Sequence, residues 1–326
     1  MPSRRRCWQP ARFLSPREPH GDSISRCLPR QSEYVWSASE LDNKKRTLIQ
    51  AAAALLQNGH LTGFFTGRIY EGAGKNVCVP GLNCYSCPGA LGACPIGSLQ
   101  NALSAWKFRF PCYVLGFMVF FGAAFGRLIC GFLCPFGFLQ DLLFRIPSPK
   151  KLRTFPGDRQ LRYVKYAVLL LMVAVLPFAF KFTPFYCKYL CPSGTLSGIL
   201  LSAADSRLRE LWGWIFTWKA LVLTAVVLAS VVICRPFCKY LCPLGAFYAL
   251  FNRVSAVRLH VDGEKCVGCG ACSRVCDMAV NPVASPNHTE CIRCGKCAGS
   301  CPHGAIGFTC FSKPLGTGPD RPAGNP

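Results

Sequence analysis

Eight cysteines near the C-terminus fall into two runs with the same spacing. The C-x2-C-x2-C-x3-C spacing is typical of a pair of [4Fe-4S] clusters, in which the first three thiolates of a run bind one cluster and the fourth binds the other. The spacing therefore predicts a chain that carries electrons. Its expected ligands are Cys266, Cys269, Cys272 and Cys301 for cluster one, and Cys291, Cys294, Cys297 and Cys276 for cluster two.

Zinc and disulfides explain this spacing less well. Structural zinc takes four ligands, typically in two separated pairs, and a third cysteine at the same short interval has no use in a tetrahedral site. Cysteines this close together rarely meet the geometric demands of a disulfide. One position differs between the runs, because Asp277 follows the first run where Pro302 follows the second. This difference bears on the solvent exposure and the reduction potential of the cluster at that position, and the prediction of two clusters is unchanged.

A second cysteine pattern, Cys-Pro-x-Gly, occurs four times. Cysteines also stand four residues before the last three of these motifs, and the hexapeptide CKYLCP occurs twice, which indicates an internal repeat. Proline after the cysteine favours the first turn of a helix, whose free N–H groups can point at the thiolate. We expect each motif to end one helix and begin a short one. The motif cysteines are Cys94, Cys134, Cys191 and Cys242, and the preceding ones are Cys130, Cys187 and Cys238.

The composition points to a membrane protein. Of 326 residues, 51% are hydrophobic and 16% charged, and the mean hydropathy is +0.27, which is too apolar for an ordinary soluble domain. Lys and Arg outnumber Asp and Glu by 37 to 15. The basic residues lie at the ends of apolar segments and in the N-terminal arm, as orientation in a bilayer requires. Nucleic-acid binding is therefore not expected.

Four apolar segments have about the length of a membrane span. They are Leu48–Phe65, Phe110–Cys130, Tyr166–Phe180 and Leu211–Ile233. The loop between the second and third is strongly basic, which places it in the cytoplasm by the positive-inside rule. Four spans then place both termini there. Iron–sulfur ligands must stay reduced, so the C-terminal cysteines should face the cytoplasm as well.

The predicted fold class is mainly α, in a multi-pass protein of the inner (cytoplasmic) membrane. A disordered basic arm (1–46) precedes a helical membrane domain (47–257) with about four spans plus short half-helices. A small α+β two-cluster ferredoxin-like domain (258–310) and a flexible tail (311–326) follow.

The alternating spans divide the other cysteines between two faces. Cys130, Cys134, Cys238 and Cys242 form one set, near Cys234, and Cys84, Cys87, Cys94, Cys187 and Cys191 form the other. Each set could hold a further cluster, the second through Cys87, Cys94, Cys187 and Cys191. Three alternatives stay open: packing as small apolar residues, disulfides on the outer face, or a self-contained site of Cys78, Cys84, Cys87 and Cys94.

Three further residues are candidates for supporting roles. His60 has no second intramembrane histidine to share a haem, so we expect it at a helix interface, with quinol contact as an alternative. Lys219 is expected to extend toward the membrane surface. Arg127, beside Cys130, would stabilise thiolates and raise the potential of a cluster. The sequence contains no C-x-x-C-H haem attachment and no nucleotide-binding fingerprint.

The chain resembles the NapH/NosR-type membrane polyferredoxins. The resemblance covers about residues 47–305 and lies in the ferredoxin runs and in the stretches NCYSCPGALGACPIGSLQ, GRLICGFLCPFGFLQD and CRPFCKYLCPLGAFY. It implies that the ferredoxin cysteines bind clusters and that the C-x3-C-P cysteines are a second hallmark. Such proteins pass electrons between a membrane pool, usually quinol, and iron–sulfur or haem partners in anaerobic respiration. The flavin-attachment motif of the NosR branch is absent, so the NapH-like branch fits better.

We therefore expect an electron-transfer subunit of an oxidoreductase rather than a stand-alone enzyme. Its expected cofactors are two [4Fe-4S] clusters, with one or two further clusters in the membrane domain. The expected partners are membrane lipid, quinol or another membrane redox partner, and an iron–sulfur or haem protein. The alternative is an iron–sulfur redox sensor or metallocentre-assembly factor in the membrane.

Overall fold

A computed structural model describes residues 43–104, 112–148, 150–180, 183–204, 207, 210 and 212–311. The predicted tail therefore lies outside the described residues, apart from Phe311, and so does the predicted arm up to residue 42. The last residues of that arm differ from expectation because they belong to a helix. Helix α1 (Asn43–Gln57) already contains Arg46, whose buried guanidinium forms an ion pair with Asp141.

Helices make up most of the structure. The first half of the chain forms α1, α2 (Thr62–Thr66), α3 (Pro95–Ser104), α4 (Cys112–Phe125), α5 (Leu128–Phe132) and α6 (Pro135–Arg145). The second half forms α7 (Asp158–Val168), a π-helical segment (Leu169–Val175), α8 (Leu176–Ala179), a π-helical turn (Tyr186–Leu190), α9 (Pro192–Ala204), α10 (Trp214–Val232), α11 (Pro236–Tyr240) and α12 (Pro243–Phe251). Helices α3, α6, α9 and α12 each begin at the proline of a Cys-Pro-x-Gly motif, which confirms that each motif begins a helix. The prediction that each motif also ends a helix is wrong for Cys94, which follows residues 77–94 without a helix.

Two helices among the described residues are long and apolar enough to cross a membrane, Asp158–Ala179 and Trp214–Val232. The first joins α7, the π-helical segment and α8, and it begins eight residues before the predicted third span. Pro177 has no N–H to donate to the preceding turn, and the residues before α8 are π-helical. The other two predicted spans coincide with shorter helices.

The predicted second span is interrupted at Gly126. This residue has φ +55°, and the next backbone N–H, of Arg127, leaves the helical pattern to donate to Asn252 Oδ1 at 2.9 Å. Helix α4 therefore ends at Phe125. The first predicted segment is interrupted in the same way, since α1 ends at Gln57 and the turn containing His60 leads into α2.

The C-terminal part is a small α+β unit. Strand β1 (Val257–Val261) pairs antiparallel with β2 (Ile306–Cys310), with Leu259 opposite Phe308. Two single-turn helices, α13 (Ala271–Arg274) and α14 (Lys296–Gly299), lie within the two cysteine runs and contain the third cysteine of each, Cys272 and Cys297. We call residues 257–311 the ferredoxin part and the described residues before them the helical part.

Buried polar contacts join the ferredoxin part to the helical part. Glu290 pairs with Arg127 at 2.9 Å and with Lys165, and all three side chains are buried. Burial by itself raises the pKa of Glu290, but Arg127 and Lys165 outweigh it and hold the pKa below its usual value. Arg293 donates to Phe125 O at 3.0 Å and to Asn252 O at 2.6 Å. These contacts fix the position of the Cys291 loop.

Replacing Glu290 by Gln should destabilise the protein because Arg127 and Lys165 would be left as uncompensated buried cations. Removing one partner of a buried ion pair typically costs about 3–5 kcal/mol. The measurement is thermal unfolding of the purified protein in detergent. The matched control is Glu264→Gln, since Glu264 is exposed and should change stability by less than about 0.5 kcal/mol. Equal unfolding temperatures for both variants would contradict a joining role for Glu290.

Candidate iron–sulfur sites

The eight ferredoxin cysteines surround two separate cavities. One cavity, of about 150 Å3, is lined by Cys266, Cys269, Cys272 and Cys301, which we call the cluster-one quartet. The other is lined by Cys276, Cys291, Cys294 and Cys297, the cluster-two quartet. The grouping is the crossed one that the spacing predicts, with the fourth cysteine of each run beside the first three of the other. The ligand assignment itself stays a prediction.

The two runs share one backbone conformation. Gly268 in the first run and Arg293 in the second stand at the same position, and both have positive φ, +70° and +52°. An arginine tolerates this strained geometry here because its guanidinium is anchored to the helical part. The fourth cysteines also match, since Val280 N–H donates to Cys276 Sγ and Ala305 N–H to Cys301 Sγ, each at 3.4 Å. Such hydrogen bonds to sulfur help to set cluster potentials.

Four cysteines of the helical part form a third group. Cys134 is held at the start of α6, where its sulfur accepts a hydrogen bond from Gly137 N–H at 3.4 Å, and Cys242 accepts one from Gly245 N–H at 3.3 Å at the start of α12. All four side chains are buried, and each thiol lies within electrostatic range of others in the group. We call the group the proximal quartet: Cys130, Cys134, Cys238 and Cys242.

Two buried arginines flank the proximal quartet. Arg127 donates to Cys238 O at 3.3 Å and is the cation that acts most strongly on the Cys130 thiol. Arg235 donates to Cys130 O and is held by both oxygens of Asp141, at 2.6 Å each. The predicted supporting position of Arg127 therefore has a counterpart in Arg235, which the sequence analysis did not identify.

A fourth group contains Cys84, Cys94, Cys187 and Cys191, which we call the distal quartet. Cys84 acts electrostatically on the other three thiols. Cys87, which the sequence analysis placed in this group, lies near Cys84 and beside Ser197. Cys84 therefore takes the place predicted for Cys87. Cys78 is buried beside Ser98, and the self-contained site of the four loop cysteines stays a prediction.

Lys219 points into the distal quartet instead of extending toward the membrane surface. A Cβ atom added to Gly194 would meet Cys84 Sγ at 3.7 Å, Cys191 Sγ at 3.9 Å and Lys219 Nζ at 3.9 Å. Glycine at this position thus leaves open a space that two thiols and one ammonium group share. Burial raises the pKa of Cys191 to about 11, and Lys219 acts in the opposite direction.

An internal repeat places one glutamine in the same position beside the distal quartet and beside the proximal quartet. Gln100 donates to Cys187 Sγ at 3.5 Å and accepts from Tyr186 N–H at 3.1 Å. Gln140 does the same with Cys238 Sγ at 3.2 Å and Phe237 N–H at 3.2 Å. The sequence analysis missed both residues. The available signal was the longer repeat Cys-Pro-x-Gly-x-Leu-Gln, which begins at Cys94 and at Cys134.

Two tyrosines lie near thiols of both helical quartets, and the loop of the cluster-two quartet packs on α5. Tyr186 is fully buried and lies near Cys191, Cys187 and Cys94 of the distal quartet and Cys242 of the proximal quartet. Tyr248 also lies near thiols of both quartets and donates to Pro80 O at 3.0 Å. Ile292, between two cysteines of the cluster-two quartet, packs so closely on α5 that a Cβ on Gly131 would approach its carbonyl oxygen to 2.5 Å.

Two family models match this chain. A model described as "4Fe-4S binding domain" matches residues 113–154, 164–209 and 214–261, and a second with the same description matches residues 284–307. The first covers all of the proximal quartet and Cys187 and Cys191 of the distal one. The second covers the second ferredoxin run.

Several known proteins are similar to this chain. The uncharacterized proteins MJ0749 and MJ0750 of Methanocaldococcus jannaschii are 32% and 31% identical over 58% and 56% of this chain, which spans 66% and 72% of their lengths. The ferredoxin-type protein NapH of Haemophilus influenzae is 24% identical over 59% of this chain and 65% of its own length. Regulatory protein NosR of Stutzerimonas stutzeri also matches. The chain belongs to the NapH/NosR-type 4Fe-4S polyferredoxins. No solved structure matches it.

This polyferredoxin has an iron–sulfur electron-transfer role, and its buried quartets are chemically suited to clusters. Burial, and after it the neighbouring Cys134 thiol, raise the pKa of Cys238 to about 11 against the opposing effect of Arg235. Thiolates buried in this quartet need a positive charge beside them, and the iron of a bound cluster would supply it. Among the described residues, the Nε–H of Arg127 is buried and has no hydrogen-bond acceptor. A sulfur atom of a cluster on the proximal quartet would supply one. When bound, each cluster would accept and release one electron at a time.

The described residues of this polyferredoxin contain neither a site for a single metal ion nor a disulfide bond. Within the described residues, no three His, Cys, Asp or Glu side chains could hold a single metal ion. The 21 described cysteines are all free thiols. Cys234 lines the cavity of the cluster-two quartet instead of joining the proximal quartet. His60 is held by Pro88 O and Thr62 Oγ1, at 3.0 Å each, which fits the predicted structural role between helices.

The glutamine repeat leads to a prediction about potentials. Gln140→Leu removes an N–H donor to Cys238 Sγ, and a hydrogen bond to sulfur favours the reduced cluster. One midpoint potential should therefore fall by roughly 40 mV, if the bond is worth about 1 kcal/mol. The measurement is a redox titration followed by electron paramagnetic resonance. Gln160→Leu, at an exposed position of α7, is the control. Unchanged potentials in Gln140→Leu with full iron content would contradict the role.

Proposed function

We propose that this polyferredoxin is a membrane-bound relay that moves electrons from a quinol pool, through a row of [4Fe-4S] clusters, to a soluble redox partner in anaerobic respiration. The observation that carries the proposal is the order of the four quartets. The distal quartet adjoins the proximal one through Tyr186 and Tyr248, and the proximal quartet adjoins the cluster-two quartet through Ile292 and Gly131. Electron tunnelling falls steeply with distance, so such a row would allow electrons to pass stepwise from one site to the next.

Exposure along the row supports a soluble partner at its far end. The proximal quartet is entirely buried, and the cluster-two quartet is half-buried. In the cluster-one quartet Cys269 is exposed, and the neighbouring Val267 is 64% exposed. A partner that docks on this end would approach cluster one more closely than any other site.

Membrane embedding is part of the proposal. The two long apolar helices among the described residues support it. The proposed topology uses these two helices as spans, with the ferredoxin part and both termini in the cytoplasm. The basic loop before α7 supports that orientation through the positive-inside rule.

An apolar cavity of about 510 Å3 supports quinol as the donor. It lies between α1, α2, α6 and α9, and its lining includes Leu55, Phe64, Phe136 and Leu196. It also touches Ser193, two residues after Cys191 of the distal quartet, and Pro135, directly after Cys134 of the proximal quartet. A ring bound here would lie next to two quartets. Apolar pockets with a few polar groups are typical of small-molecule sites.

One orphaned acceptor in this cavity matches a quinol hydroxyl. Asn58 lines the cavity, and its Nδ2 donates to Ala54 O at 2.9 Å. Its Oδ1 is buried and receives no hydrogen bond from the described residues. A buried acceptor without a donor costs about 1–3 kcal/mol. A hydroxyl group of a quinol would donate to Asn58 Oδ1 and orient the ring, and oxidation would release two electrons and two protons.

The number of clusters can be measured directly. Iron and acid-labile sulfide per chain, on protein purified in detergent without oxygen, should be about sixteen of each if all four quartets bind a [4Fe-4S] cluster. Cys134→Ala and Cys191→Ala should each lower the count by about four, and Cys112→Ala, at an exposed cysteine outside the quartets, should not. A count of about eight in the unaltered protein would confine clusters to the ferredoxin part and contradict the four-site relay.

The quinol site can be tested through Asn58. Asn58→Leu keeps the side-chain volume and removes the acceptor, so quinol-dependent cluster reduction should lose about tenfold in kcat/KM. The readout is cluster bleaching after addition of a soluble quinol analogue. Asn101→Leu, at an exposed position of α3, is the control. A fully loaded, unaltered protein that no quinol reduces would contradict the relay and favour the alternative, a redox sensor or metallocentre-assembly factor.

A further inference from the structure

A basic cleft is separate from the apolar cavity and touches the cavity of the cluster-two quartet through Val280. It has a volume of about 550 Å3 and opens where the N-terminal end of α7 meets the ferredoxin part. Its lining includes Arg159 and Arg162 of α7, Arg253 after α12, and the aromatic side chains of Tyr163 and Tyr166. Neither the proposed relay nor the quinol site uses this cleft.

The two carboxylates of the cleft are already compensated. Asp158 pairs with Arg162 and with Lys239, the latter at 2.6 Å. Glu290 pairs with Arg127 and Lys165.

Two arginines of the cleft have no ion-pair partner among the described residues. Arg159 and Arg253 are exposed, and neither forms an ion pair with a residue of the described chain. An occupant of the cleft therefore meets surplus positive charge. Guanidinium groups bind phosphate through paired, charge-assisted hydrogen bonds.

The cleft continues into an apolar surface. Helix α7 is the start of the long apolar helix Asp158–Ala179. Tyr163 of the cleft is exposed, and so is Leu170, which stands seven residues further on and therefore on the same side of the helix. Tyrosine is enriched at the boundary between headgroups and hydrocarbon. The chemistry that matches both surfaces is a phosphate attached to hydrocarbon chains.

We propose that the cleft binds the phosphate of an acidic phospholipid, with Arg159 and Arg253 as its ligands and the acyl chains along α7. The inference rests on the proposed membrane location of the protein. Basic pockets beside membrane helices attract anionic headgroups in this way. A lipid bound here would touch both α7 and the ferredoxin part, and so would add to the contacts of Glu290 and Arg293 that join them.

The test is retention of phosphatidylglycerol by the full-length protein. The protein is exchanged into detergent with equal amounts of phosphatidylglycerol and phosphatidylcholine, and the lipid that stays bound is quantified by mass spectrometry. Unaltered protein should retain phosphatidylglycerol selectively. The double variant Arg159→Gln/Arg253→Gln should lose at least about tenfold of that retention. Lys150→Gln, at an exposed basic residue outside the cleft, should behave like the unaltered protein.

Three outcomes would overturn the proposal. They are equal retention by the double variant with unchanged iron content, no preference over phosphatidylcholine, and displacement of the lipid by millimolar inorganic phosphate, which would make the cleft a site for a soluble anion. Extraction of the unaltered protein from membranes by alkaline carbonate would instead overturn the proposed membrane location. That result is independent of the lipid comparison.

Discussion

The structure depends on the cost of placing negative charge in an apolar interior. Thiolates buried without compensation are strongly disfavoured, and neutral thiols do not bind iron. Each helical quartet is accordingly surrounded by cations and N–H donors: Arg127 and Arg235 beside the proximal quartet, and Lys219 beside the distal one. The two arginines are themselves held by carboxylates, Arg127 by Glu290 and Arg235 by Asp141. Each of these arginines therefore acts on thiols of the proximal quartet and pairs with a carboxylate at the same time.

The local chemistry of the sites could be read from the sequence, because it depends on short spacings. The crossed grouping of the ferredoxin cysteines and the helix starts at Pro95, Pro135, Pro192 and Pro243 follow from residues a few positions apart. Family membership follows from the same motifs. These features need no knowledge of how distant segments pack.

Features that depend on tertiary packing were not predictable from local pattern. The replacement of Cys87 by Cys84 in the distal quartet, and the turn of Lys219 toward it, arise from the packing of the loop before α3 against α9 and α10. The interruption of the second apolar segment at Gly126 requires Asn252, more than a hundred residues away. Hydropathy counts the apolar residues of this segment but does not detect the polar group that ends the helix.

The contact between Ile292 and Gly131 has a consequence for assembly. The loop between Cys291 and Cys294 lies against α5, and Arg293 within it is buried among backbone oxygens of the helical part. A cluster on the cluster-two quartet would therefore have to be inserted before the two parts close on each other. The cluster-one quartet, with Cys269 at the surface, stays accessible to a scaffold protein. After oxidative damage, one end of the row would be repairable in the finished protein, whereas the interior would require unfolding or new synthesis.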